Sequence, residues 1–218
     1  MKISRRILTW GLLVSALSLF SFFKFNFSFG VHHLSLSTSG MLFPVLGAFF
    51  GLLDLVAVKW FAMFFLFLLK GVAPATLMMF GIPSFLAALA FKYSLKNKTN
   101  IWDVLLRFVL PLACILVFSF YSTGNAFVYS FFWFVPIILF TFKKRNVFFS
   151  ALSSTFVAHA VGSIIWLFAV PMTSQEWIAL IPVVALERLS MAVGMVVIYF
   201  LVKKAVFLIK NKFALQTR

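Results

Sequence analysis

Lysines and arginines in this chain gather in tight clusters that separate long uncharged apolar runs, and most of the clusters fall on alternate connections. A soluble fold cannot carry that pattern. Hydrophobic residues make up 64% of the 218 residues and charged residues 11%, where a soluble surface normally needs about a quarter charged. The bilayer is the expected solvent, and the expected fold class is an all-α polytopic membrane protein, a single integral membrane domain over residues 1–218. The net charge of +15 would suit a nucleic-acid partner, but the basic residues punctuate apolar spans instead of forming one stripe with interleaved polar groups. They read as topology signals, and no nucleic acid is expected. Cys114 is the one cysteine and lies in an apolar run, so thiols build neither a disulfide framework nor a metal site.

A spanning helix needs about 20 apolar residues, and the first candidate is Ile7 to Phe23. Lys2, Arg5 and Arg6 precede it and hold the N-terminus in the cytoplasm. No small-x-small cleavage site follows, so an uncleaved first helix is favoured over a signal peptide. The polar stretch from Lys24 to Gly40, with His32 and His33, reads as an outer loop. A second span starts at Met41, with Lys59 marking its inner end by reaching toward the headgroups. Four further spans follow: Leu105 to Ser122, Asn125 to Phe142, Phe148 to Val170 and Ile178 to Val202. Every strong basic cluster then falls on one side, which places both termini in the cytoplasm and the chain in the cell (inner) membrane.

Trp60 to Phe91 must begin and end inside, so it holds either no complete crossing or two. Lys70-Gly71-Val72-Ala73-Pro74 and Gly81-Ile82-Pro83 are expected to break its helical ladder twice. The expected layout is six transmembrane helices plus this Gly/Pro-interrupted hairpin, with eight short spans as the alternative.

Polar groups inside the spans are the candidate site. Glu187 and Arg188 lie about ten residues into the final span, and neighbours in a helix point about 100° apart, so at least one is expected to find a partner on another helix. An interhelical pair, with Asp54 as one partner, and a ligand anchor are both open at this stage. In the preceding span Thr155, His159, Gly162, Ser163 and Trp166 share one helical face, which is either a pocket wall or a close-packing stripe. Asn125, Tyr129 and Trp133 recur at every fourth residue of the span before. Trp133, stacked toward His159 and Trp166, would complete an aromatic-walled cavity opening outward. Tyr121, Trp60 and Trp177 are assigned to the interfacial aromatic belt.

This layout, with a long outer loop after the first helix and a short one before the last, resembles the substrate-binding S components of energy-coupling factor transporters. The resemblance implies a six-helix protein that captures a micronutrient at its outer face and docks on a transmembrane coupling subunit driven by ATPases. It implies docking through small residues on the first helix, here Gly11, Ser15 and Ser18 in a G-x-x-x-S variant. The loops Lys24 to Gly40 and Pro171 to Trp177 would act as a lid. No P-loop motif is present, and no cofactor or metal is expected.

The leading functional expectation is therefore capture or transport of a small molecule, whose identity the sequence does not give, through Glu187, Arg188, His159, Ser163, Trp166, Tyr129, Trp133 and Asn125. One alternative is a structural or assembly protein whose intramembrane charges pair helices. The other is an intramembrane hydrolase using Ser39 or a buried serine with His159 as base, since Ser37-Thr38-Ser39-Gly40 resembles the serine motif of rhomboid proteases without its leading glycine.

Overall fold

The computed structural model describes residues 11 to 216 except 12, 16, 18, 20, 30, 31, 72, 73, 97, 98 and 143 to 145. The described positions between 11 and 19 are helical, with Val14 and Leu17 buried and Gly11 and Ser15 exposed. The third small residue of that docking motif, Ser18, lies outside the described residues.

The stretch expected to be an outer loop is an antiparallel hairpin, β1 (Lys24–Phe29) and β2 (His32–Ser37), in the register Lys24 with Ser37 and Phe29 with His32. Its sequence alternates with period two: Phe25, Phe27 and Phe29 on one side of the turn, Leu34 and Leu36 on the other. That is a strand signal which overall polarity conceals. Thr38 closes the base of the hairpin, donating from both its backbone N (3.3 Å) and its Oγ1 (3.0 Å) to the Phe23 carbonyl.

The second expected span, Met41 to Lys59, is not one helix. A short helix α1 (Thr38–Leu46) ends in a turn, and α2 (Leu52–Lys70) starts afresh. At the turn Gly47 lets the segment around Ala88 pass close against its backbone: a Cβ there would lie 2.8 Å from the Ala88 carbonyl carbon and closer still to its oxygen. Lys92 Nζ donates to the Phe50 carbonyl and ties the turn down. Asp54 accepts from Gly51 N at 3.3 Å and caps α2.

Of the two breaks expected between Trp60 and Phe91, one exists. Gly71 takes the left-handed conformation, φ 60°, and ends α2 with its N–H on the Phe67 carbonyl. Helix α3 (Pro74–Ser94) then runs through Gly81 and Pro83 without interruption. Pro83 lacks the N–H that would meet the Met79 carbonyl, a loss that a membrane helix tolerates, and beside it Ser84 Oγ adds a bond to the Gly81 carbonyl at 2.9 Å.

The later helices are α4 (Ile101–Tyr121), α5 (Gly124–Thr141), α6 (Val147–Ala169) and α7 (Ser174–Gln216). A π-helical turn interrupts α4 at Leu105–Val109, and α5 is wound as a 3-10 helix over Gly124–Trp133. Five described helices are long and apolar enough to cross a bilayer: Leu52–Leu69, Ile101–Tyr121, Gly124–Thr141, Val147–Ala169 and Ser174–Phe207. The chain is thus a multi-pass helical membrane protein. Helix α6 is its centre and packs on α3, α4, α5 and α7. Buried Ser150, Ala151, Ser153, Ser154 and Ala160 let those neighbours approach closely, and Ser154 Oγ donates to the Ala87 carbonyl of α3 at 2.7 Å.

Candidate functional site

A cavity of about 790 Å³ lies between α1, α2, α3, α6 and α7, and both ends of the hairpin segment, at Ser21 and Ser39, reach its wall. Most of the lining is apolar. The exceptions converge from separate helices: Lys59 from α2, Ser84 from α3, Thr155, His159 and Ser163 from α6, Glu187 and Arg188 from α7.

Glu187 and Arg188 pair with each other, Arg188 Nη2 to Glu187 Oε1 at 2.6 Å. The expectation that one of them needs a partner on another helix is corrected: both side chains are long enough to close the 100° between adjacent positions. Asp54 is not their partner, since it caps α2. Arg188 Nε is buried and has no hydrogen-bond partner among the described residues. The Arg188 carbonyl is met by Thr155 Oγ1 at 3.4 Å, which sets α6 against α7 at this level.

His159 is 9% exposed and stands among aromatic rings, with Tyr129 5.4 Å away and Phe132, Trp133 and Phe156 each 6.4 Å away by ring centroids. Its Nε2 has no hydrogen-bond partner among the described residues, so no described serine is bonded to it there. Tyr129, Gly162, Ser163 and Trp166 also line the cavity. Trp133 does not: it is fully buried behind the wall, edge-on to Phe118 at 5.2 Å. Asn125 is exposed at the start of α5 and takes no part in the lining. The aromatic wall is completed by Trp177, which sequence reasoning gave to the interfacial belt. It is 3% exposed, 4.9 Å from Tyr129 and 5.0 Å from Phe118 by ring centroids.

Lys59 is the main residue that sequence reading misplaced. It does not end a span but lies inside Leu52–Leu69, with Nζ donating to Ser84 Oγ at 2.6 Å and standing 4.7 Å from the centre of the Phe43 ring. The signal was available: a cation several residues from either end of an apolar run is a functional candidate by default. A second buried group also went unread. Asp103 and Arg107 pair at 3.2 Å in the first turns of α4, at 0% and 3% exposure, and Arg107 Nε donates to Ser153 Oγ of α6 at 2.9 Å. This group lies outside the cavity lining and joins two helices. Among the described residues no three His, Cys, Asp or Glu side chains cluster to hold a metal ion. No protein-family model, curated protein or solved structure matches this chain.

Proposed function

We propose that this chain is a membrane capture and transport protein for a small molecule, similar in its working to an S component, which admits its ligand at the outer face. The observation that carries this reading is the cavity of about 790 Å³, where Lys59, His159, Glu187 and Arg188 converge inside an otherwise apolar helical bundle. Ionisable groups held within a membrane protein mark ligand and ion pathways far more often than idle packing.

The hairpin supports a lid. Strand β2 lies against α7 and α1, and the residues flanking the hairpin line the cavity. Gly11 and Ser15 are exposed on the first helix while Val14 and Leu17 turn inward, which leaves a small-residue face for a coupling subunit. In this reading both termini are cytoplasmic and ATPases in the partner complex supply the energy. The assembly alternative is supported by the Asp103, Arg107 and Ser153 group that joins α4 to α6, but not by Glu187 and Arg188, which lie on one helix and pair with each other.

A thermal-shift screen of the purified protein against vitamins, nucleobases and lipids tests the proposal, since a ligand that binds the folded form raises its stability. A hit is expected, and Glu187→Gln, Arg188→Ala and His159→Ala should each weaken its binding by about tenfold or more. If all three variants bind the hit as the wild type does, the site is wrong.

A further inference from the structure

We infer that the cavity takes an amphipathic anion: a small molecule carrying one carboxylate or phosphate group on an apolar body. This rests on the capture reading above and adds the ligand class to it.

Lys59 lies seven residues from one end of α2 and eleven from the other. Its ammonium turns inward onto α3 and α1. Of its three donors, one has an acceptor, Ser84 Oγ, which passes its own hydrogen to the Gly81 carbonyl. No carboxylate reaches Lys59 among the described residues. On α7 Glu187 is taken up by Arg188, whose Nε has no hydrogen-bond partner among the described residues. Among the described residues the charged groups facing the cavity are thus two cations and one carboxylate, and the carboxylate is already paired.

A charge in a low-dielectric interior stays there when something opposite completes it. A carboxylate or phosphate would accept the remaining Lys59 donors in charge-assisted bonds. A neutral ligand would leave the ammonium uncompensated, and a cation would oppose it. Most of the rest of the wall, including Phe43, Ala62, Met63, Leu66, Leu180 and Val184, is apolar, with Thr155, His159 and Ser163 on α6 as polar exceptions, so the body of the ligand is mainly apolar. The cavity reaches from Trp177 to Met191 along α7, about 21 Å at the helical rise, which admits such a body beside the aromatic wall.

The test uses the full chain in lipid nanodiscs and aryl probes of similar size: 4-phenylbutyrate, 2-phenylethyl phosphate, 4-phenylbutyramide and 4-phenylbutylamine, each at millimolar concentration. The readout is the shift in melting temperature. At least one anion should raise it and the amide and amine should not. Lys59→Met and Arg188→Met should bind that anion about tenfold more weakly or worse, while Lys59→Arg keeps it; Lys59→Gln replaces Lys59→Met if the latter fails to fold. The inference is overturned if neither anion shifts the protein, if amide or amine stabilises it equally, or if the anion shift survives loss of either cation. A neutral or cationic hit in the charge-blind screen of vitamins, nucleobases and lipids would then leave the capture reading standing without its anion. No hit in that screen would remove both.

Discussion

Arg107 joins α4 to α6 through a contact fully withdrawn from lipid, and its loss should be felt throughout the bundle. Its guanidinium meets Asp103 at 3.2 Å and Ser153 Oγ at 2.9 Å, and it stands 5.7 Å from the Phe140 ring. Breaking a buried pair from one side costs about 3 kcal/mol or more, because the charge that remains has lost its counter-ion. Arg107→Met is therefore expected to lower the melting temperature of the purified protein markedly, and the double variant Asp103→Asn, Arg107→Met to recover most of it. Wild-type stability in the single variant would show that the pair holds nothing. A span that starts at Leu105 leaves Asp103 in a loop and so conceals the partner of Arg107, which lies inside that span. Asn100 instead caps the helix four residues earlier, accepting from Asp103 N at 3.0 Å. Glu187, Arg188 and His159 were legible as intramembrane polar groups because nothing near them in sequence explains them. Lys59 was legible too, but was explained away as a span end.

At the scale of elements, hydropathy located the later spans to within a few residues: Leu105 to Ser122 against Ile101–Tyr121, Asn125 to Phe142 against Gly124–Thr141, Phe148 to Val170 against Val147–Ala169. Those helices are bounded by charges and polar turns, and an apolar run between such bounds has one solution in a bilayer. The first half of the chain was harder. The boundary at Gly47 follows from the approach of Ala88, some forty residues away, which local sequence does not contain. The hairpin depends on a similar contact at its base. Removing the Thr38 hydroxyl with Thr38→Val takes away one of the two bonds to the Phe23 carbonyl, a loss of about 1 kcal/mol. Backbone hydrogen exchange over residues 24–37 should then rise several-fold, with α6 and α7 unchanged. If the strands exchange as in the wild type, the hairpin is held by something other than its base.

For the whole molecule, the two ends of the bundle differ in their charged residues, and the proposed orientation can be tested on that difference. At one end the α4–α5 and α6–α7 connections lie side by side: a Cβ on Gly124 would be 3.3 Å from Ser174 Oγ, and the Tyr121 and Phe168 rings are 5.4 Å apart. At the other end Phe142 stacks on Phe149, and Phe91 meets Tyr199 a few residues before exposed Lys203 and Lys204. In the proposed orientation, where basic residues stay inside, the second end faces the cytoplasm, and the aromatic wall of the cavity, at Tyr129 and Trp177, lies in the outer half. Cysteines introduced at exposed Asn125 and Pro171 should therefore react with an impermeant maleimide on intact cells, and those at exposed Phe142 and Lys203 after permeabilisation alone. Cys114 is buried and should add no background. The reverse pattern would turn the lid and the aromatic wall toward the cytoplasm, and capture from outside would lose its geometry. Mixed labelling, with Asn125 and Pro171 on opposite sides, would contradict the contact between Gly124 and Ser174 and with it the arrangement of helices that encloses the cavity.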